Sequence, residues 1–130
     1  MPTESTESLK IVVVDDSDFS RKNVIKILED AGFEIVGEAN SAETALNLLA
    51  SSDANLFLID VVMPNASGID LAQMIIETGK AVRLIMMSSL KMDHIVIESI
   101  SNGAIDFLAK PFTSDELLAS VVKVQSLLHE

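Results

Sequence analysis

Five apolar runs of strand length recur along the chain, and none of them alternates cleanly between hydrophobic and polar residues. They are KIVVVD (10–15), FEIVGEA (33–39), NLFLID (55–60), VRLIMMS (82–88) and IDFLAK (105–110). Strands that are buried on both faces read as nearly continuous apolar runs, so this pattern predicts a sheet that is covered on both sides.

The segments between these runs have the spacing of amphipathic helices. In the first segment, the i, i+3, i+4, i+7 stripe consists of Val24, Ile27, Leu28 and Ala31. Gly32 is predicted to end that helix. Asp18 and Asn40 are predicted to cap the first two helices, and Thr113 with Glu116 forms a capping pair before the last one.

Two further helical segments, 67–78 and 91–102, complete an alternation of five strands with five helices. This order predicts an α/β fold: a doubly wound (βα)5 three-layer sandwich with a five-stranded parallel sheet and right-handed crossovers. The polar start, MPTESTESLK, predicts a short disordered lead over residues 1–8, followed by one domain over residues 9–130.

Composition narrows the classes of function. The 130 residues carry a formal net charge of −11 with only nine Lys and Arg, so nucleic-acid phosphates and anionic lipids should repel the chain. The sequence has no Cys, and no apolar run approaches the roughly 20 residues of a membrane span. We therefore expect a cytoplasmic, soluble protein that binds proteins or cations, with no direct DNA binding and no membrane insertion.

Charged and hydroxyl side chains stand where the predicted strands end. They are Asp15 and Asp16 after the first strand, Asp60 after the third, Ser88 after the fourth and Lys110 after the fifth. The Asp15–Asp16 pair alone fits a turn as well as a metal site. The carboxyl ends of parallel strands share one sheet edge, however, and ligands of open α/β sheets bind there. Carboxylates gathered at that edge repel one another strongly, so a positive charge is expected among them.

The ion that best fits these carboxylates is Mg²⁺, with Mn²⁺ as a substitute. Mg²⁺ takes one or two carboxylates, keeps several waters and shares oxygens with a phosphate. Lys110 adds a second positive charge and Ser88 a hydroxyl donor, and both suit the oxygens of a tetrahedral anion. These are the parts of a phosphoryl-transfer site, with Asp60 as the candidate nucleophile.

Four motifs resemble those of the receiver domain of two-component response regulators, most closely the single-domain chemotaxis type with a CheY-like, flavodoxin-like fold. They are VVVDDSDFSR, LIDVVMPNASGID, IMMSSL and DFLAKPF, and the resemblance covers residues 9–129. It implies a stand-alone switch, not an enzyme, that takes a phosphoryl group from a sensor histidine kinase or a histidine phosphotransfer protein. It also implies a downstream protein target on the surface of the last two helices and the fifth strand.

The resemblance assigns a role to each residue at the sheet edge. Asp60 is the phosphoacceptor, Asp16 a direct metal ligand, and Asp15 a ligand that acts largely through water. Ser88 is the hydroxyl that hydrogen-bonds the phosphoryl group, and Lys110 is its ion-pair partner.

Residues around this set also have implied roles. Val62 would lend its backbone carbonyl to the metal, and Phe107 is the aromatic switch residue that turns inward on activation. Gly68 would permit the turn of a loop, and the peptide before Pro111 is commonly cis in the family. Val62 and Leu90 lie where the family tunes dephosphorylation, and apolar side chains there predict a long phosphoryl lifetime.

Other functions stay open at this point. A phosphorelay intermediate or a phosphate sink is compatible with the same motifs, as is a degenerate receiver that binds constitutively. An aspartyl-nucleophile, metal-dependent phosphatase needs a second carboxylate two residues after the first, where this chain has Val62. A flavin carrier is disfavoured because Asp15 and Asp16 would repel a cofactor phosphate.

Two surface interpretations complete the prediction. Arg21 is interpreted as a solvated charge on the first helix. The last helix is apolar over a wide arc, which leaves Val122 or Leu127 for a partner or a second copy. A monomer or a weak homodimer is therefore expected.

Overall fold

A computed structural model describes residues 8–63, 67–90, 93–101 and 103–127. The strands are β1 Lys10–Val14, β2 Glu34–Ala39, β3 Leu56–Asp60, β4 Arg83–Ser88 and β5 Asp106–Ala109. The helices are α1 Asp18–Asp30, α2 Ala42–Ser51, α3 Gly68–Glu77, α4 Asp93–Ser101 and α5 Ser114–Leu127. The predicted alternation of five strands with five helices is confirmed.

The strands of the sheet have the order β2-β1-β3-β4-β5, and this order determines where a crevice opens at the carboxyl ends of the strands. All neighbouring strands are parallel. The chain leaves β1 toward β2 on one side and returns to β3 on the other, and a crevice opens at such a switch point, outside the carboxyl ends of the strands. Asp15 directly follows β1 and Asp60 ends β3, so the strand order brings both to this crevice.

Two apolar layers cover the two faces of the sheet. One layer packs β1, β3 and β4 against α1 and α5. The other packs the same strands against α2 and α3, with Ile95 of α4 partly buried against it. The inner strands are buried on both faces, as their apolar runs predict. The edge strands β2 and β5 also contribute to both layers, with Val36 and Phe107 on one face and Ile35 and Leu108 on the other. They are less buried than the inner strands because each lacks a neighbouring strand on one side.

Two predicted helix caps were wrong by one residue. Ser17, not Asp18, caps α1, because Ser17 has extended backbone and its Oγ accepts a hydrogen bond from the N–H of Ser20. Ser41, not Asn40, caps α2 in the same way. Ser and the neighbouring Asp or Asn have similar capping preferences. Which of the two residues becomes the N-cap therefore depends on the position at which the backbone changes from extended to helical.

Other predicted helix boundaries are confirmed. Thr113 N donates to Glu116 Oε1 at 2.8 Å, and Glu116 N donates to Thr113 Oγ1 at 3.0 Å, which forms a reciprocal capping box before α5. Helix α1 ends at Asp30, and Gly32 follows with a φ of 93°, a left-handed conformation that favours glycine.

The predicted disordered lead lies outside the described residues except for Ser8, and so do residues 91, 92 and 102 of the predicted fourth helix. The domain bounds at residues 9–130 stay a prediction. Among the described residues, none of the helices has the length and apolar character needed to cross a membrane.

Candidate functional site

Three carboxylates meet in the crevice between β1 and β3. One oxygen each of Asp15, Asp16 and Asp60 lies within 4.8 Å of the others. Asp15 is fully buried, Asp60 is 8% exposed, and Asp16 is exposed. The cluster therefore combines two largely desolvated carboxylates with one that faces solvent.

Lys110 supplies a positive charge to this cluster. Its Nζ lies 2.8 Å from Asp15 Oδ2 and 2.9 Å from Asp60 Oδ2. It also donates to Ser20 Oγ at 2.9 Å, so all three ammonium hydrogens are used. The Lys110–Pro111 peptide is cis, as the resemblance implies.

Ser88 ends β4 next to the cluster and is fully buried. The neighbouring residue Met87 pairs with Asp60 in the β3–β4 register. The Ser88 carbonyl accepts a hydrogen bond from Lys110 N at 2.8 Å. Its Oγ accepts a hydrogen bond from Leu90 N at 2.9 Å. Within the described part of the chain this hydroxyl accepts one bond and donates none, so its proton is available to an anion.

The buried charges shift one another's titration. Burial raises the pKa of Asp60, and the hydrogen bond from Lys110 offsets this only in part. Burial also acts to raise the pKa of Asp15, but hydrogen bonds from Lys110, the Ser17 backbone and Ser20 together hold that pKa below its usual range. Burial lowers the pKa of Lys110, but its two carboxylate partners outweigh that effect and raise it. Lys110 therefore stays charged between the two carboxylates.

The donor set fits a hard divalent cation. Asp16 makes no side-chain hydrogen bond or ion pair with any other residue that the structure describes, so both of its oxygens are available as ligands. Three carboxyl groups share one ammonium, so negative charge outweighs positive charge in the crevice. Oxygen ligands with excess negative charge are what Mg²⁺ and Mn²⁺ bind.

Val62 lies beside the cluster, and Phe107, on β5, lies three residues before Lys110. Val62 N donates to Asp60 Oδ1 at 3.0 Å, while the Val62 side chain is half-exposed. Phe107 lies on β5, paired in register with Met86. Its partly buried ring packs against the apolar layer of α2 and α3. The role of Phe107 as the switch residue stays a prediction.

Gly68 has a different role from the one predicted. It is buried at the start of α3, and its N–H donates to Val61 O at 2.8 Å. A Cβ at this position would lie 2.1 Å from the backbone O of Asp60. Close approach of two backbones, not the flexibility of a turn, explains the glycine.

Arg21 is the residue that the sequence interpretation placed wrongly. It is 7% exposed, not solvated. Its Nη1 donates to the backbone O of Asp15 at 2.8 Å, Nε to Glu38 Oε1 at 2.6 Å, and Nη2 to Asp18 Oδ1 at 2.6 Å. Glu38, an acidic residue near the end of the second apolar run, was the signal that could have suggested an ion-pair partner for Arg21.

Acid is expected to weaken the Arg21–Glu38 pair. The hydrogen bond from Arg21 is the main cause that lowers the pKa of Glu38 from its ordinary value of 4.5. A lowered carboxyl pKa adds stability above the unfolded-state pKa, and this stability is lost as the pH falls through the folded-state pKa. The thermal midpoint of the wild type, followed by circular dichroism below about pH 4.5, should therefore fall more steeply than that of Glu38→Gln. The difference should be small because the Glu38 side chain is 39% exposed, and parallel curves would contradict it.

Comparisons with known proteins point to one family. Residues 11–122 match the model of the response regulator receiver domain. Protein CcdB of Bacillus subtilis (strain 168) is 35% identical over 115 residues, which cover 88% of this chain and 96% of that protein. Chemotaxis protein CheY of the same organism is 34% identical over 114 residues, covering 88% of this chain and 95% of that protein.

A solved structure agrees with this result. CheY in the CheX-CheY-BeF3-Mg+2 complex from Borrelia burgdorferi superposes with a TM-score of 0.83 at 29% identity, covering 95% of this chain and 94% of that chain. The flavodoxin-like, CheY-like (βα)5 architecture is thus shared in full. By its family model, its relatives and its fold, the chain belongs to the response regulator receiver domain family.

Proposed function

We propose that the chain is a phosphorylation-dependent signalling switch of a two-component system, with Asp60 as the phosphoacceptor. The observation that carries this proposal is the position of Asp60: it ends β3 in the acidic crevice, and its Oδ2 lies 2.9 Å from Lys110 Nζ. A carboxylate beside a fixed ammonium suits attack on a phosphoryl group, because the ammonium can neutralise the oxygens that arrive.

The other two carboxylates are poorer acceptors. Asp15 is fully buried, so a phosphodonor has less access to it than to Asp60, which keeps 8% exposure. Asp16 is exposed, and no ion pair joins it to a cation among the residues that the structure describes. Asp60 alone combines partial access with an adjacent ammonium.

The carboxylates of Asp15, Asp16 and Asp60 would hold Mg²⁺, with Mn²⁺ as a substitute and the Val62 carbonyl as a further ligand. When bound, the ion would neutralise charge shared between the carboxylates and the phosphoryl oxygens. The excess negative charge around Lys110 supports this assignment.

The proposed transfer forms one bond and breaks another. A carboxylate oxygen of Asp60 bonds to the phosphorus of a phosphohistidine on a sensor kinase or a histidine phosphotransfer protein. The phosphorus–nitrogen bond breaks, and the histidine nitrogen keeps its electron pair. Lys110 then pairs with one phosphoryl oxygen, and the Ser88 hydroxyl donates a hydrogen bond to another. The product is an acyl phosphate on Asp60.

The switch would follow from this exchange of partners. Lys110 would release Asp60 for the phosphoryl group, and Ser88 would turn its hydroxyl toward the same group. Both residues lie at the ends of β4 and β5, so Phe107 and the surface of α4, β5 and α5 would respond and bind a downstream protein. Such coupling is worth about 1–3 kcal/mol, enough to shift populations.

The output is signalling, not turnover of a substrate. Val62 occupies the place where an aspartyl phosphatase needs its second carboxylate. The likeness to Chemotaxis protein CheY of Bacillus subtilis supports a role in chemotaxis, with a phosphorelay step or a phosphate sink as the alternative outputs. We propose a cytoplasmic monomer or weak homodimer, with the exposed Val122 of α5 as the contact in the second case.

A labelling experiment tests the acceptor chemistry and the metal together. The protein is incubated with acetyl phosphate in Mg²⁺ or in a chelator, and its intact mass is measured. One phosphoryl group per chain is expected with Mg²⁺ and almost none with the chelator. Absence of labelling under both conditions would overturn the proposal. A beryllofluoride-treated sample can then be compared with an untreated one for selective binding to candidate targets.

The phosphoryl group is expected to persist for minutes or longer once formed. Val62 and Leu90 are 49% and 41% exposed and carry no polar atom that could orient an attacking water. Val62→Gln should shorten the lifetime by about tenfold, because a carboxamide can position that water. Loss of the label is followed by mass spectrometry after the phosphodonor is removed. A wild-type lifetime of only seconds, or no change in the variant, would contradict this prediction.

A further inference from the structure

We infer that Arg21 is a positioning residue for the metal site: it fixes the peptide between Asp15 and Asp16 and so presents the Asp16 carboxylate to Mg²⁺. This inference rests on the proposed function, because it concerns how the proposed Mg²⁺ site is preorganised. It goes further by assigning a site role to a residue that touches neither the metal nor the phosphoryl group.

Asp16 depends on its backbone for its position. Its side chain has no hydrogen-bond or ion-pair partner among the residues that the structure describes, and it is exposed. An exposed carboxylate of this kind samples several rotamers, and holding it in one of them costs free energy. Any preorganisation of Asp16 must therefore come from the main chain that carries it.

The main chain at this point is held on both sides of Asp15. Asp15 N donates to Ala39 O of β2 at 3.0 Å. Asp15 O accepts from Arg21 Nη1 at 2.8 Å. The carbonyl of Asp15 and the N–H of Asp16 belong to one planar peptide group. A bond that fixes this carbonyl therefore also fixes the backbone N–H of Asp16 and restricts the directions open to the Asp16 side chain.

Arg21 is itself anchored to strand β2 and to the first turn of its own helix. Its Nε donates to Glu38 on β2, and its Nη2 donates to Asp18 in the first turn of α1, both at 2.6 Å. A guanidinium offers several donors in one rigid plane, and these three bonds orient that plane. The Arg21 side chain is 9% exposed, so water has little access to replace the bond to Asp15. A lysine in its place would keep the charge but could not span all three acceptors.

The two possible roles of Arg21, as a positive charge and as a positioning residue, predict opposite changes in Mg²⁺ affinity when Arg21 is replaced. If Arg21 acted only as a positive charge near the carboxylates, its removal would tighten Mg²⁺ binding. If it positions Asp16, its removal weakens binding. Lys22 provides a matched charge control: it lies next to Arg21, its Nζ is 3.2 Å from Glu38 Oε1, and it makes no bond to Asp15.

The experiment is a calorimetric titration of Mg²⁺ into the full chain, for the wild type, Arg21→Lys, Arg21→Met and Lys22→Met. Circular dichroism first verifies that each protein is folded at the working temperature. Arg21→Lys and Arg21→Met should each raise the dissociation constant about tenfold, which is typical when a group that orients a metal ligand is lost. Lys22→Met should stay within about twofold of the wild type, because exposed charges are screened.

A second measurement separates positioning from general damage. The rate of labelling by acetyl phosphate should be low for Arg21→Lys at limiting Mg²⁺ and should return to nearly the wild-type rate at saturating Mg²⁺. A structural defect alone would not be repaired by the metal. Unchanged Mg²⁺ affinity in Arg21→Lys, tighter binding in Arg21→Met, or a labelling defect that persists at saturating Mg²⁺ would each overturn the inference. If the wild type bound no Mg²⁺, the proposed function itself would fail, so the two failures are distinct.

Discussion

Asp60→Asn is expected to abolish labelling by acetyl phosphate. The amide keeps the size of the side chain and can still accept the hydrogen bond from Val62 N, but it lacks the nucleophilic carboxylate. Labelling, measured by intact mass in saturating Mg²⁺, should fall to background. If the variant were still labelled with one phosphoryl group per chain, the phosphoacceptor would be a residue other than Asp60.

A stability measurement controls for misfolding of this variant. Burial raises the pKa of Asp60, so its ionised form is disfavoured in the folded chain, and Asp15 adds like-charge repulsion. Replacing the charge with a neutral amide should therefore leave the thermal midpoint at or above that of the wild type at neutral pH. Asp53→Asn is the matched control for labelling: this aspartate precedes β3 at the opposite end of the strand, and its side chain is 74% exposed. It should be labelled like the wild type.

Gly68→Ala is expected to destabilise the fold by about 3 kcal/mol, at the upper end for one added methyl group. The new Cβ would lie 2.1 Å from the O of Asp60, 2.8 Å from its C and 2.9 Å from the Cα of Val61. All three are backbone atoms at the end of β3. The clash with the new Cβ can therefore be relieved only if α3 moves or if β3, the strand that carries Asp60, moves. Urea unfolding followed by circular dichroism measures the loss, and the labelling rate should fall with it.

Gly37→Ala is the matched control for this prediction. A Cβ at Gly37 would lie 2.9 Å from Leu48 Cδ2, which is the end of a flexible side chain and can turn away. The change should cost less than about 1 kcal/mol. Equal effects of the two substitutions would show that the backbone approach at Gly68 does not limit stability.

Much of the site could be predicted because short patterns determine it. The continuous apolar runs of β1, β3 and β4 predict inner strands, and polar residues directly after such runs must lie at one sheet edge. The convergence of Asp15, Asp16 and Asp60 follows from that argument alone, without the coordinates. The Thr113–Glu116 capping box was also predictable, because both partners lie within one helical turn.

Other features of the site depend on partners that are distant in the sequence. Whether Arg21 is solvated or buried depends on Glu38, which reaches it only when β2 lies beside β1. Whether Gly68 serves a turn or a close approach depends on the backbone of Asp60. No pattern of residues near either position carries this information.

The amino-acid sequence by itself determined the order of elements, the inner strands and the carboxylates at their ends, because hydrophobic periodicity and strand termini are local properties. Only the tertiary structure decided which of these carboxylates is desolvated and which cation it pairs with. Burial keeps the pKa of Asp60 raised, whereas hydrogen bonds from Lys110, Ser17 and Ser20 outweigh burial and lower the pKa of Asp15. Arg21 of α1 is buried and not solvated. Desolvation and hydrogen bonding depend on distances between segments, and those distances exist only once the sheet has formed.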